Sequence, residues 1–241
     1  MPPPVLSAAK TTYAAVAQRS GRALEALGVV SSTPPPRDHR TRHWLHSLTH
    51  VHDSVSLMQA DVPWWTYRAI DVVETWLMAR SRAPRIFEFG AGASTVWLAR
   101  RAGVLHTVEH HAGFAESVGQ VFQDFPGVVM HVVPPEESAA PEVPSGKEGH
   151  EGLDFAKYVA TIDRVDGTFD LVVIDGRARE ACLSRAVPRL AHGGLILFDN
   201  SRRRRYRSAI EGSGLIEQSL PGLTPTLPYP EQTSLLYRSR R

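Results

Sequence analysis

Cysteine is nearly absent from this chain of 241 residues, because Cys182 is its only one. No disulfide can therefore form within the chain, and a reducing compartment is expected. A large excess of charge is missing too, since 27 basic and 25 acidic side chains leave a formal net charge of +2, which favours no polyanionic partner. No apolar run approaches the ~18 residues that a membrane span needs, and the N-terminus lacks the basic-then-apolar pattern of a secretory signal. The sequence therefore predicts a soluble, cytoplasmic protein without a membrane segment.

Apolar residues make up 42% of the chain, which is enough for one α/β domain with a core of its own. Triple prolines at positions 2–4 and 34–36 bracket an Ala-rich helical pattern over residues 5–30, and proline runs of this kind end helices. We therefore expect residues 1–60 to form an N-terminal helical extension and residues 61–241 to form the main domain. The helix over 5–30 is a candidate partner helix, so the sequence leaves a homo-oligomer open.

The main domain repeats a rhythm of strand, turn and helix. Its strands are near-continuous apolar runs, which are typical of a sheet covered by helices on both faces, and such alternation predicts a doubly wound layer. The predicted strands are RIFEF, LHTVEH, VVMHVV, FDLVVID, GGLILFD, LIEQSL and TSLLYR. The predicted fold is thus α/β, with a doubly wound, mostly parallel, seven-stranded sheet. Residues 134–152 are rich in Pro, Gly and Glu and indicate a polar loop.

A His-rich stretch precedes this sheet. It contains His39, His43, His46, His50 and His52. His46 and His50 are one helical turn apart, a spacing that zinc ligands use, but Ser47 stands where a zinc protease would carry glutamate. We therefore expect an exposed polar helix here rather than a metal site.

The segment RIFEFGAGASTVWLARR, residues 85–101, joins the first strand to a helix through two glycines one residue apart. Gly90 and Gly92 lie at the carboxyl end of a strand, where a backbone approaches ligands closely in such sheets. A dinucleotide fingerprint would carry a third small residue where Thr95 stands, and the carboxylate of Glu88 would repel a pyrophosphate. The pattern disfavours a dinucleotide and favours a ligand with a cationic group.

Glu109 closes the second strand, 19 residues after Gly90. An acid at that place can accept hydrogen bonds from both ribose hydroxyls of a nucleoside. Acids also end strands for purely structural reasons, but with Glu88, Gly90 and Gly92 in register the nucleoside interpretation is favoured.

The stretch Glu88–Gly92, followed by Glu109, resembles motif I and the acid that follows it in class I S-adenosylmethionine-dependent methyltransferases, whose sheet is Rossmann-like. The resemblance continues through DLVVIDG and GGLILFDN, covers about residues 61–240, and is strongest to bacterial small-molecule enzymes. It implies that S-adenosylmethionine is the cofactor. It also implies that Gly90 and Gly92 pass under the methionine part and that Glu109 binds the ribose.

The same resemblance implies roles for three residues around the turn. Glu88 would lie near the amino group of the donor, while Ser94 and Thr95 would offer hydroxyls and helix N-terminal amides to its carboxylate. His111 stands where that group often has an acid, a departure that concerns the adenine side. We expect a Gly90→Arg substitution to abolish donor binding while leaving the fold largely intact.

Acidic side chains end two later strands, at Asp175 and at Asp199–Asn200. In the expected strand order these ends are neighbours and face the donor crevice, so Asp175 and Asp199 are candidate catalytic residues and Asn200 a candidate pocket residue. A similarity to catechol-type O-methyltransferases implies a Mg²⁺ site formed by all three. Metal-free contact with the acceptor, and plain helix capping, stay open as alternatives.

Trp64 and Tyr67 precede the first strand and are candidate walls of the donor or acceptor pocket, with packing of their helix as the equal alternative. The basic run Arg202–Arg205 indicates either a solvated helix start with one arginine in the site or phosphate contacts. We expect methyl transfer to an oxygen or nitrogen of a small-molecule acceptor, with no nucleic acid as partner. The open alternatives are a tRNA or rRNA methyltransferase that uses this run, and a non-catalytic nucleoside-binding module.

Overall fold

A sheet of seven strands runs through the computed structural model, which describes residues 33–50, 57–58 and 60–239. The described strands, in chain order, are β1 (Arg85–Phe89), β2 (Val104–Glu109), β3 (Val128–Val132), β4 (Glu136–Glu137), β5 (Leu153–Asp154), β6 (Phe169–Ile174), β7 (Leu190–Phe198), β8 (Ile216–Gly222) and β9 (Glu231–Tyr237). The large sheet has the order β3-β2-β1-β6-β7-β9-β8, and β4 pairs with β5 in a separate ribbon. The predicted seven-stranded sheet is confirmed.

Strand direction places the crevice of the sheet beside β1. The pairs β1–β2, β2–β3, β1–β6 and β6–β7 are parallel, whereas β9 runs antiparallel to both β7 and β8. Phe89 at the end of β1 pairs with Val108 on one side and Ile174 on the other. The strand order therefore reverses at β1, and ligands bind at the carboxyl ends of strands at such a reversal.

Helices cover both faces of the sheet. They are α1 (Arg40–His50), α2 (Tyr67–Met78), α3 (Ala93–Ala99), α4 (Ala112–Phe122), α5 (Ala156–Val159), which runs into a 3-10 turn (Ala160–Arg164), α6 (Arg179–Arg189) and α7 (Arg204–Gly212). Side-chain caps fix two of their starts. The Thr66 hydroxyl accepts a hydrogen bond from Ala69 N at the start of α2, and His111 Nδ1 accepts one from Phe114 N at the start of α4.

The core is divided by the sheet into two layers, because successive side chains of a strand point to opposite faces. Ile86 of β1 packs in one layer, together with the buried rings of Trp65 and Trp97. Phe87 and Phe89 pack in the other layer. Both faces of β1 are therefore buried, which explains why its apolar residues Ile86 and Phe87 are consecutive rather than alternating with exposed polar ones.

The Pro/Gly/Glu-rich segment 134–152 is more ordered than a plain polar loop. The ribbon of β4 and β5 closes it, and the Asp154 carboxylate accepts hydrogen bonds from the backbone N–H groups of Glu142, Val143 and Ala156. A short side chain that takes up neighbouring backbone donors stabilises a turn without a core. This segment therefore returns the chain to α5 along a defined path.

Helix α1 lies within the predicted N-terminal extension, whereas the helical pattern over 5–30 lies outside the described residues. Trp44 Nε1 donates to Leu227 O at 2.8 Å, so the helix packs against the main domain. The prediction of an exposed polar helix is wrong for His43 and His46, which are each 5% exposed. Among the described residues, no cluster of three or more potential ligands could hold a metal, and no helix is long and apolar enough to span a bilayer.

Candidate active site

The two glycines of the turn after β1 have different physical roles. Gly90 has φ +100°, and a Cβ on it would lie 2.8 Å from Gly176 Cα, which belongs to the loop after β6. A side chain at Gly90 would force the ends of β1 and β6 apart, so the expectation that Gly90→Arg leaves the fold intact is wrong. Gly92 has an extended backbone, and nothing lies within 4 Å of the position of its Cβ. A side chain at Gly92 would project into empty space.

Glu88 lies beneath this turn and is 0% exposed. Its carboxyl accepts hydrogen bonds from the hydroxyls of Ser94 at 2.5 Å, Thr95 at 2.5 Å and Thr107 at 2.9 Å. Burial raises the pKa of Glu88 to about 7, against the opposing effect of the three hydroxyls. The hydroxyls of Ser94 and Thr95 are thus engaged with Glu88, which holds the turn against the start of α3.

A cavity of about 510 Å³ opens above the turn, and we name it the glycine-turn cavity. Its size lies within the ~300–1,000 Å³ that is usual for small-molecule sites. It is lined by Trp64, Gly90, Ala91, Gly92, Ala93, Ser94, Glu109, His110, His111, Phe114, Asp175, Gly176 and Arg177. Of the residues predicted to contact the cofactor, Gly90, Gly92, Ser94 and Glu109 therefore line this cavity. Glu88 and Thr95 lie behind its wall.

Glu109 is held in place at the end of β2 and is 3% exposed. Its carboxylate accepts hydrogen bonds from Ala91 N at 3.2 Å and His111 N at 2.7 Å, and it lies 2.7 Å from His110 Nδ1. Burial acts to raise the pKa of Glu109, but His110 and the backbone donors outweigh it and lower the pKa. The side chain is therefore an ionised hydrogen-bond acceptor at the cavity wall.

Of the three aromatic residues at the start of α2, Trp64 lines the cavity, whereas Trp65 and Tyr67 do not. Trp64 lines it, is 38% exposed, and donates from Nε1 to the Thr226 hydroxyl at 2.6 Å. Trp65 is fully buried in the core beside Trp97. The structure corrects the placement of Tyr67, which is 2% exposed and whose hydroxyl lies 2.7 Å from His43 Nδ1. Tyr67 packs in the core and is absent from the cavity wall.

Arg179 connects the acidic residues at the ends of β6 and β7. Its Nη2 donates to Asp175 Oδ1 at 2.8 Å, and its Nη1 lies 3.8 Å from Asp199 Oδ2. Burial raises the pKa of both carboxyl groups, and the charge of Asp175 raises that of Asp199 further, while Arg179 opposes both effects. Asp175 reaches the glycine-turn cavity, but Asp199 is 4% exposed and accepts a hydrogen bond from the Thr233 hydroxyl at 2.7 Å.

The arrangement around Arg179 does not fit the Mg²⁺ site that the catechol-type similarity implies. A divalent cation would take several oxygen ligands around one point, but the positively charged guanidinium of Arg179 already pairs with Asp175 and lies 3.8 Å from Asp199. Asn200, whose φ is +53°, lines a neighbouring cavity rather than this point. The three residues are close in space, but they do not form a cation site.

That neighbouring cavity has a volume of about 180 Å³, and we name it the basic cavity. It is lined by Ser145, Gly146, Lys147, Gly176, Arg177, Ala178, Arg179, Glu180, Asn200, Arg203, Arg205 and Tyr206. Gly176 and Arg177 line both cavities, so the two adjoin at the loop after β6. Two residues of the basic run Arg202–Arg205 therefore line a cavity.

Sequence reasoning missed several residues of the site. His110, Phe114, Arg177 and Arg179 belong to it, but nothing in their spacing distinguishes them. Their position along the chain could have identified them, because each of these residues follows shortly after the end of β2 or β6. A search of the first few residues after each of these strands would have found them.

The doubly wound sheet, the glycine turn at its reversal point and the buried acid at the end of β2 define a nucleoside-binding α/β protein. Residues 87–201 match the family model described as a methyltransferase domain. The matched segment contains the glycine turn, Glu109 and the ends of β6 and β7, so the chain carries a methyltransferase domain, and S-adenosylmethionine is the cofactor that this domain indicates. None of the curated proteins compared with it matches.

Several solved structures are similar to the chain. Precorrin-6y C5,15-methyltransferase from Geobacter metallireducens GS-15 has a TM-score of 0.49 and 13% identity, and the match covers 71% of this chain and 88% of that one. N-methyltransferase NodS from Bradyrhizobium japonicum WM9 has a TM-score of 0.47 and 14% identity, with 72% and 96% covered. An rRNA methylase from Streptococcus thermophilus has a TM-score of 0.49 and 12% identity, with 71% and 98% covered.

Proposed function

We propose that this methyltransferase acts on an oxygen or nitrogen of a small-molecule acceptor. The observation that carries the proposal is the basic cavity, which adjoins the glycine-turn cavity at Gly176 and Arg177. Methyl transfer requires the nucleophile, the methyl carbon and the leaving sulfur in line, and two adjoining cavities can hold the two reactants end to end. The basic cavity, at about 180 Å³, has the volume of about six water molecules at ~30 Å³ each. This volume suits a small acceptor group.

The residues of the glycine-turn cavity fit S-adenosylmethionine. Gly92 leaves its Cβ direction open for a ligand, Glu109 presents an ionised acceptor for ribose hydroxyls, and Trp64 and Phe114 offer aromatic surface. When bound, the cofactor supplies a methyl group on a positively charged sulfur. In this proposal Glu88 is a positioning residue, because its carboxyl contacts the turn rather than the cavity.

Asp175 is the proposed proton acceptor of the reaction. Its side chain is 19% exposed and reaches the glycine-turn cavity at the boundary with the basic cavity. Burial raises its pKa, which makes the ionised form a better base than an exposed aspartate. Asp199 lines neither cavity and, in the proposal, positions Asp175 through the hydrogen bond between their side chains and through their common partner Arg179.

Calorimetric titration with S-adenosylhomocysteine, with NAD as the control ligand, tests the donor site. We expect binding of the nucleoside product and none of NAD. A panel of small oxygen and nitrogen nucleophiles then tests methyl transfer. Donor binding without any transfer would favour the nucleoside-binding module, and transfer to RNA alone would favour an RNA methyltransferase.

The Asp175→Asn substitution tests the proton acceptor once an acceptor has been found. We expect the affinity for S-adenosylhomocysteine to change by less than about threefold and kcat to fall by about 10² or more, the usual contribution of a general base. Asp163→Asn is the matched control, because Asp163 pairs with Arg185 on the surface, away from both cavities. A kcat equal to that of the wild type in Asp175→Asn would rule out this role.

A further inference from the structure

The basic cavity carries a strong excess of positive charge in a small volume. Five of its lining side chains are basic, namely Lys147, Arg177, Arg179, Arg203 and Arg205, whereas Glu180 is the only acidic one. The whole chain has a formal net charge of only +2. The positive charge is therefore gathered at this place rather than spread over the surface.

Some of this charge is balanced by neighbours and some is not. Arg179 faces Asp175 and Asp199, and Arg203 lies 3.8 Å from a carboxylate oxygen of Glu231. Arg177 contacts His150 and the backbone, and none of the carboxylates that the structure describes forms an ion pair with it.

Arg205 has no ion pair with a carboxylate of the described ranges either. Its Nη1 donates to Gly146 O at 2.9 Å, and its guanidinium lies 4.8 Å from the ring centre of Tyr206. Both contacts hold the side chain at the cavity wall without neutralising it. Two arginines that have fixed positions and form no ion pair with a described carboxylate are suited to binding an oxyanion, because guanidinium groups match the geometry of carboxylate and phosphate oxygens.

The walls of this cavity come from three separate parts of the chain. They are the loop after β6 and the start of α6, the turn into α7, and the segment 145–147 of the β4–β5 connection. Arg205 joins the second wall to the third through Gly146. Three converging walls enclose a space for a small group, which a flat nucleic-acid surface would not need.

We propose that the basic cavity binds an oxyanion group of the methyl acceptor, a carboxylate or a phosphate, held by Arg177, Arg203 and Arg205. This inference rests on the proposed function, and it narrows the acceptor to small anionic molecules. The rest of the acceptor then extends across Gly176 and Arg177 toward the glycine-turn cavity, which brings its nucleophile to Asp175. The anionic group sets the orientation of the acceptor and takes no part in the bond changes.

The run Arg202–Arg205 provides a test with a matched control. All four arginines are exposed, but only Arg203 and Arg205 line the basic cavity, and Arg202 and Arg204 line neither cavity. The double variant Arg203→Gln/Arg205→Gln and the control Arg202→Gln/Arg204→Gln therefore remove the same charge from the same segment.

Inorganic phosphate and malonate are the probes, titrated by calorimetry at constant ionic strength into protein saturated with S-adenosylhomocysteine. We expect at least one probe to bind the wild type and the control with equal affinity, and to bind Arg203→Gln/Arg205→Gln at least tenfold more weakly. The tighter probe identifies whether the group is a phosphate or a carboxylate. Equal weakening in both double variants, or no binding of either probe to the wild type, would overturn the inference.

The donor titration separates this inference from the proposed function. We expect S-adenosylhomocysteine to bind both double variants with wild-type affinity, because neither pair lines the glycine-turn cavity. Acceptors are then compared as pairs, each acid with its neutral methyl ester. We expect turnover of the acid only, with KM raised and kcat retained in Arg203→Gln/Arg205→Gln. Preferred turnover of the neutral member would refute the anionic acceptor while leaving methyl transfer to a small molecule intact.

Discussion

Glu88 makes the stability of the protein depend on pH in a direction that is unusual for a carboxyl group with three hydrogen-bond donors. Its pKa is about 7 in the folded protein and 4.5 as an ordinary glutamate. The fold therefore favours the neutral form, so the contribution of Glu88 to stability is fully present below pH 4.5 and is lost as the pH rises through about 7. From these two pKa values, linkage gives a loss of about 2–3 kcal/mol between pH ~5 and pH ~8.

The Glu88→Gln variant isolates this effect, because the amide has nearly the same size and does not ionise. Urea unfolding at pH ~5 and pH ~8 gives the free energy of unfolding of the wild type and the variant, and the difference between them cancels the other titrating groups. We expect the wild type to lose about 2–3 kcal/mol relative to Glu88→Gln between these pH values. Glu116→Gln, at an exposed position of α4, controls for the substitution itself. Equal pH dependence in Glu88→Gln and the wild type would refute the reasoning.

Three further substitutions test the structure. Gly92→Val fills open space beside the cavity, so we expect an unchanged urea midpoint and loss of S-adenosylhomocysteine binding by calorimetry; wild-type ligand affinity would contradict this expectation. Gly90→Ala, in contrast, should lower the free energy of unfolding by about 2 kcal/mol, because its φ is strained and its Cβ contacts Gly176. Asp170 is 1% exposed and accepts hydrogen bonds from Arg80 and from the backbone of β1. Asp170→Asn should therefore lower the free energy of unfolding in urea by about 3 kcal/mol. A loss below about 1 kcal/mol would show that these contacts are weak.

Sequence reasoning succeeded where the chemistry is local. Gly90, Gly92 and Glu109 follow directly from strand ends, and strand ends are visible as the limits of apolar runs, so their place at the cavity could be predicted. The sheet was predictable for the same reason, since burial on both faces requires continuous apolar strands.

Sequence reasoning failed where the contact partner of a side chain lies far away in the sequence. His43 was expected on an exposed face, but its ring meets the Tyr67 hydroxyl in the core. A cation held by Asp175, Asp199 and Asn200 was one of three open interpretations, but the charge of Arg179, from the start of α6, already faces both carboxylates. A pattern of residue types does not reveal which neighbour reaches a given carboxylate first.

The sequence by itself determined the layers of the sheet, the glycine turn and the acid at the end of β2, because the hydrophobic period and the steric needs of a turn are properties of short segments. Only the tertiary structure decided which side chains the site contains. Trp64 rather than Tyr67 lines the cavity, and Arg203 and Arg205 rather than Arg202 and Arg204 line its basic neighbour. These choices depend on how strands and helices distant in sequence pack together, and a side chain one position away along the chain then points to a different environment.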